Sequence, residues 1–222
     1  MTNKGKYYES QFEEATIKLL REAHWQYAFG DDIHRKYTDP LIEEDLRNFL
    51  AVQYKDKNLT TSEMDSIVAN LRNTGGQNDY YALRNTFLLY RDGYDFAYSD
   101  GRSNPFRLEY IDFEHPDHNI FRCVNQFVME QGRENRRPDI LLFINGIPVC
   151  IIELKNPTKQ NATIRDAHTQ ICTRYMRDIP ALLKYCALAV ISDGAKNALG
   201  ATYTPFEFFY EWKKIENEDK AG

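Results

Sequence analysis

Two carboxylates and one ammonium group, Asp139, Glu153 and Lys155, interrupt an apolar stretch that reads RPDILLFINGIPVCIIELK from Arg137 to Lys155. Glu153 lies fourteen positions after Asp139, and Lys155 two after Glu153. Side chains two apart on a strand share a face, so Glu153 and Lys155 point the same way. Two converging carboxylates suit a hard divalent cation such as Mg²⁺, which keeps water and substrate phosphate in the rest of its shell. Such an ion polarises a phosphodiester and lowers the pKa of a bound water, while a nearby lysine positions or deprotonates that nucleophile. The same residues also have a plain structural use, as a Glu153–Lys155 salt bridge at a strand end with Asp139 capping a turn.

Which use applies depends on the elements that hold them. Ile140–Ile144 and Ile147–Ile152 are apolar β-type runs on either side of Asn145-Gly146, a strong signal for a two-residue hairpin turn. The runs are apolar at nearly every position, which predicts burial on both faces, where a carboxylate is costly without a partner or a metal. A regular two-residue hairpin pairs Asp139 with Ile152 and throws Glu153 onto the opposite face. One extra loop residue, or a bulge, sets Asp139 opposite Glu153. Pro148 cannot donate to a ladder and sits beside the turn, so we expect the slipped register, which alone gathers the three charges.

The pattern Pro138-Asp139 followed by Glu153-Leu154-Lys155 resembles the PD-(D/E)xK nuclease signature. The surrounding text, RRPDILLFINGIPVCIIELKNPT with a later helix, IPALLKY and ISDG, resembles the nuclease domain of type I restriction enzyme R subunits, from the first helix to about Trp212. The resemblance implies a Mg²⁺-dependent endonuclease acting on double-stranded DNA without recognising sequence itself, with Asp139 and Glu153 as metal ligands and Lys155 as a catalytic group. It also implies methyltransferase and specificity subunits as partners. It further implies a glutamate on the first helix facing the site, for which Glu13 suits the apolar phase and Glu14 the spacing to Trp25. A glutamine–tyrosine pair four apart is common on the helix after the hairpin; here Gln170 and Tyr175 are five apart, which leaves the partner lining the site open. An ATP-driven motor follows the nuclease in such subunits, but the chain has no G-x-x-x-x-G-K-[ST] phosphate loop, so ATP belongs to a full-length subunit and the chain reads as an N-terminal piece. A catalytically silent docking domain, or a repair nuclease with the same triad, are the alternatives.

Composition is compatible with this. The chain is 42% hydrophobic and 14% aromatic, enough for a sizeable core, and its net charge of −5 excludes a global basic field that would draw nucleic acid. DNA affinity must come from a local patch, and Arg133, Arg136 and Arg137, just before Asp139, are placed for a phosphate backbone, with Tyr175 beside the site. Cys123, Cys150, Cys172 and Cys186 show no metal or redox spacing and read as reduced thiols of a cytoplasmic protein. No apolar run is long enough to span a membrane.

Taken in order, apolar residues recur at helical spacing from Tyr8 to His24. Asp39-Pro40 reads as a helix start over Leu41–Leu50, and Thr60 with Glu63 as the capping box of another helix, making a helical insert over residues 39–73. Phe87–Tyr90 and Tyr94–Tyr98 flank Arg91-Asp92-Gly93 as a second hairpin, and Phe106–Phe113 and Ile120–Met129 read as strands feeding the central one. His34, Arg35 and Lys36 read as a solvated turn. From Ile164 the set Ile164, Ala167, Ile171, Cys172, Tyr175 and Met176 predicts an amphipathic helix, flanked by Gln170 and Arg174. Cys186–Ile191 then predicts a buried strand reached by a crossover and paired in parallel. Hairpin, crossover helix and further strand form a restriction-endonuclease-like α/β core over about residues 87–212, in a single domain of residues 1–222 with a charged tail at 213–222.

Overall fold

The structure is a computed structural model and describes residues 3–155 and 163–211. Asn156-Pro157-Thr158, expected to end a strand, and the charged tail lie outside the described residues. Helix α1 (Asn3–Glu22) leads into strand β1 (Gln26–Phe29). The insert follows as α2 (Glu43–Gln53), α3 (Thr61–Asn73) and α4 (Asp79–Asp92). Its α3 begins on the expected capping box: the Glu63 amide donates to Thr60 Oγ1 at 3.2 Å and the Thr60 amide to Glu63 Oε2 at 2.9 Å.

Three expectations in this region are corrected. The helix expected from Asp39-Pro40 starts only at Glu43, because Asp39 accepts the Leu41 amide at 3.1 Å and pairs with Arg72, holding the chain in a turn. The expected hairpin at Phe87–Tyr98 is not one. Asn78 caps the Tyr81 amide at 3.1 Å, and Leu83, Thr86 and Tyr90 are buried at helical spacing, so Phe87–Tyr90 belong to α4. Gly93 (φ +60°) ends that helix rather than turning a hairpin. Tyr94–Phe96 (β2) instead pairs antiparallel with Phe106–Leu108 (β3) in a small sheet apart from the central one. Arg35 is no solvated turn residue: its guanidinium lies 3.4 Å over the Phe127 ring and donates to backbone carbonyls of Asp39 and Val128.

The remaining strands are β4 (Phe121–Asn125), β5 (Met129–Gln131), β6 (Glu134–Arg136), β7 (Ile140–Ile144), β8 (Ile147–Leu154), β9 (Leu188–Ser192), β10 (Asn197–Ala201) and β11 (Tyr210–Glu211). The described residues form a seven-stranded mixed sheet in the order β1-β4-β7-β8-β9-β10-β11. The hairpin β7–β8 lies near its middle, with β9 parallel to β8 as the crossover predicts. This is a mixed α/β, restriction-endonuclease-like fold.

The hairpin keeps its two-residue turn and still slips. Asn145 (φ +51°) and Gly146 (φ +75°) pair Ile144 with Ile147, as an Asn-Gly turn should. One step on, Phe143 faces Pro148 while Leu142 faces Cys150, so Val149 is an extra residue, a β-bulge. Ile140 therefore faces Ile152, and the next pair outward is Asp139 with Glu153. The bulge also exchanges faces. Ile147 and Val149 pack with the helical insert, whereas Ile151 packs beneath the crossover helix with Leu141 and Phe143. Cys150, Ile152 and Leu154 take the other face, under Ile17 of α1.

The crossover comprises α5 (Ile164–Thr169), a π-helical turn at Gln170–Tyr175, α6 (Met176–Asp178) and α7 (Pro180–Leu183). Ile164, Ala167, Ile171 and Tyr175 form its buried face, as expected.

The turn of the hairpin is itself buried. Asn145 donates to the carbonyl of Tyr110 at 2.9 Å and to Asn119 Oδ1 at 2.7 Å, and accepts the Ile120 amide at 2.8 Å. The Ile42 amide donates to the Gly146 carbonyl at 2.9 Å, and a Cβ on Gly146 would stand 2.1 Å from the Ile42 oxygen. Gly146→Ala is therefore expected to cost more than the roughly 1–3 kcal/mol of a strained left-handed residue alone. Gly132→Ala, with the same sign of φ but nothing within 4 Å, should stay near the lower end. Urea unfolding of the two variants measures the difference, and equal losses would refute the docking of the turn.

Candidate active site

At the end of the hairpin away from the turn, the strand geometry brings Asp139, Glu153 and Lys155 together on the face under the crossover helix. Glu153 is 1% exposed, Lys155 and Asp139 are half-buried. Lys155 Nζ donates to Glu153 Oε1 at 2.7 Å and to Gln170 Oε1 at 2.7 Å. Gln170 Nε2 donates to the Tyr175 hydroxyl at 2.7 Å, and that hydroxyl donates to Glu153 Oε2 at 3.3 Å. Lysine, glutamine, tyrosine and glutamate thus close a ring of hydrogen bonds. Asp139 Oδ2 accepts the Leu154 amide at 2.7 Å, which ties the first strand's carboxylate to the second strand's backbone.

The five-residue spacing of Gln170 and Tyr175 is accommodated by the π-turn that spans them. A regular helix would set Arg174 beneath Gln170; the wider turn puts Tyr175 there and leaves Arg174 exposed. Apolar periodicity already set Tyr175 on the buried stripe and Arg174 beside it; the π-turn that brings Tyr175 to Gln170 had no signal in that pattern.

Glu13 rather than Glu14 is the residue of α1 turned toward the sheet. Its carboxylate accepts from Asn125 Nδ2 at 2.6 Å and Gln126 Nε2 at 3.0 Å, while Glu14 is exposed. Gln126 is left-handed (φ +55°) and its amide donates to the Asp139 carbonyl at 3.1 Å, so Glu13 reaches the strand of Asp139 through one residue. The sequence reading missed Asn125 and Gln126, for which only their place at the end of a strand gave a signal.

Two of the groups expected to meet DNA are placed otherwise. Arg136 is committed to the buried Asp178, at 2.6 Å, and to Glu134. Tyr175 is buried against Glu153 and offers no surface. Arg133, in the turn between β5 and β6, and Arg137, two residues before Asp139, are exposed.

The electrostatics fit a cation. Burial first, and the charge of Asp139 second, push Glu153 up to about 8, against the opposing pull of Lys155 and Tyr175. Burial and the charge of Glu153 hold the Tyr175 hydroxyl far above its ordinary range, so it remains a donor. Two facing carboxylates, hard oxygen donors that repel in a desolvated place, are the donor set of a Mg²⁺-type ion. Asp139 and Glu153 would hold it.

A family model, type I restriction enzyme R protein N terminus (HSDR_N), matches residues 6–208. The chain belongs to this family. Its relatives include the Haemophilus influenzae type I restriction enzyme HindI endonuclease subunit, 31% identical over 96% of this chain and 21% of that protein. A Methanocaldococcus jannaschii protein, named provisionally as the type I restriction enzyme MjaIXP endonuclease subunit, is 30% identical over 93% of this chain and 20% of its own length. The chain thus spans about a fifth of these relatives. Among the described residues no helix is long and apolar enough to cross a membrane.

Two predictions follow from the ring and its burial. A carboxyl whose folded pKa is about 8 against an ordinary 4.5 keeps its proton in the folded chain between those values. Its contribution to stability is present below the lower value and lost as pH rises to the upper one. At about 1.4 kcal/mol per pKa unit the loss is on the order of a few kcal/mol. In urea melts without divalent metal, Glu153→Gln should therefore gain on the wild type from about pH 5 to about pH 9; a constant gap would contradict the burial account. Deleting the exposed Thr173 should convert the π-turn to a regular turn with tyrosine four after Gln170. That change should cost no more than about 1 kcal/mol, whereas deleting Arg165 from the regular α5 should rotate its buried face outward and unfold the helix. Circular dichroism melts decide between them.

Proposed function

We propose that this domain hydrolyses phosphodiester bonds of double-stranded DNA with the help of Mg²⁺, without sequence recognition of its own. The observation that carries the reading is the bulge at Val149, which sets Asp139 opposite Glu153 with Lys155 on the same face. Bound Mg²⁺ would supply charge neutralisation at the phosphate and a more acidic water. The chain's own groups do the rest. Lys155, held by Glu153 and Gln170, presents an ammonium group to the attacking water or the phosphate. Tyr175 keeps Glu153 aimed by donating to its second oxygen. Glu13 stiffens the strand end that carries Asp139. Arg133 and Arg137 are the exposed cations nearest to a DNA backbone lying over the site, while the chain's acidic balance leaves recognition to specificity and methyltransferase subunits. The chain spans about a fifth of its relatives, which supports reading it as one domain of a larger restriction subunit, whose ATP-dependent activity would lie outside these residues; a cytoplasmic setting agrees with four unpaired cysteines.

Asp139→Ala, Glu153→Gln and Lys155→Ala should each reduce Mg²⁺-dependent nicking of supercoiled plasmid by roughly 10²–10³-fold or more, as loss of a charge-stabilising group does. Gln170→Ala, which frees Lys155 and Tyr175, should lose less. All four should melt within about 2 kcal/mol of the wild type. A chain that folds and binds DNA but is as inactive as its variants, alone and within the full subunit, would favour the docking reading.

A further inference from the structure

Outside this site, one group of three ligating side chains converges among the described residues: Asp112, His115 and His118. They lie in the segment DFEHPDHN, in the connection between β3 and β4. We propose that they form a binding site for a divalent late transition ion, Zn²⁺ or its like, that clips this connection shut.

The donor chemistry differs from that of Asp139 and Glu153. Two imidazoles and one carboxylate are a mixed nitrogen–oxygen set, which selects Zn²⁺-type ions over Mg²⁺. The distances agree. His118 Nδ1 lies 3.0 Å and His115 Nδ1 3.7 Å from Asp112 Oδ2, and all three ligand atoms fall within 4.8 Å of one another. A tetrahedral zinc with bonds of about 2.0–2.1 Å sets its donors roughly 3.3 Å apart, so the first two separations bracket the required edge. The two rings lie parallel, 4.9 Å between centroids at 17°, and both are exposed, so the third edge closes by ring rotation alone.

Asp112 is the fixed ligand. It is 4% exposed, and its Oδ1 accepts the amides of Glu114 at 3.1 Å and His115 at 2.8 Å. Gln53 Nε2 donates to Oδ2 at 3.1 Å, an outer partner that orients the ligating carboxylate from α2. Three protein ligands leave a position open to water, as in solvent-facing zinc sites.

The site sits where a clip would matter. Asn119 Oδ1 accepts the Asp112 amide at 2.9 Å and Asn119 Nδ2 donates to the Asp112 carbonyl at 2.7 Å. The same Asn119 Oδ1 receives Asn145, the buried turn residue of the central hairpin. An ion at Asp112 would therefore stiffen the brace beneath that turn, at the far end of the hairpin from the catalytic groups.

The test is titration of the metal-free chain with Co²⁺, read by visible absorption, and with Zn²⁺, read by thermal melting, in excess Mg²⁺ to occupy the carboxylate pair. The expected result is one equivalent of Co²⁺ with a tetrahedral spectrum and a rise in Tm with Zn²⁺. Glu153→Gln should retain both effects. The double variant His115→Ala/His118→Ala, which removes two exposed rings stacked on each other, should weaken binding by roughly 100-fold or more, and Gln53→Ala by about 10–100-fold. No uptake by the wild type, or uptake that survives the double histidine variant or disappears with Glu153→Gln, overturns the assignment and leaves His118 as a simple hydrogen-bond partner of Asp112.

Discussion

A carboxylate with almost no solvent, facing a second carboxylate, is the constraint on which the rest of this domain depends. Glu153 stands in the central strand β8, walled by Leu154 and Ile152 on one side of the chain and by the crossover helix on the other. Such a group is tolerated only if its lone pairs and its charge are answered. Lys155 and Tyr175 answer one oxygen each. Burial first, and the charge of Asp139 second, outweigh both, and Glu153 is pushed up to about 8. A carboxylate pair that repels in a desolvated place suits a cation and is unfavourable without one.

Several irregularities of the backbone serve that arrangement. The bulge at Val149 exchanges the faces of β8, so that one strand packs against the helical insert near its turn and presents Glu153 under the crossover helix at its end. The π-turn adds a residue to the crossover helix and brings Tyr175 under Gln170. The left-handed Gln126 lets one residue contact both Glu13 and the backbone of Asp139. Bulges and π-turns are less stable than regular ladders and helices, and they persist where the surrounding packing enforces them. Here that packing is the fully buried Leu141, Phe143, Ile151 and Ile171.

The ends of the hairpin have different tasks. One carries the charged groups Asp139, Glu153 and Lys155; the other is locked by neutral hydrogen bonds, with Asn145 satisfied by Tyr110, Asn119 and Ile120 and Gly146 pressed on Ile42. Because the anchoring lies at the turn, the helical insert does more than cover the sheet: it sets the position from which the strands run out to the site.

By itself the sequence determined the Asn-Gly turn, the burial of both strands, the capping box of α3, the crossover helix, and the place of Asp139, Glu153 and Lys155 at the hairpin end away from the turn. Each rests on local chemistry: residues that tolerate left-handed backbone, apolar periodicity, or charges too costly to bury without a use. The register could be narrowed to a slip but not located, since a bulge at Val149 and a longer loop satisfy the same pattern. The residues Phe87–Tyr90 read as a strand because aromatic and aliphatic side chains suit either state; the cap at Asn78 and the burial of Leu83, Thr86 and Tyr90 decided for helix. Glu13 over Glu14, the contact of Gln170 with Tyr175 across the π-turn, and the commitment of Arg136 to Asp178 were settled only by tertiary structure. Each turns on what lies across from a side chain in space, and a one-dimensional pattern contains the residue's own face but not its partner's.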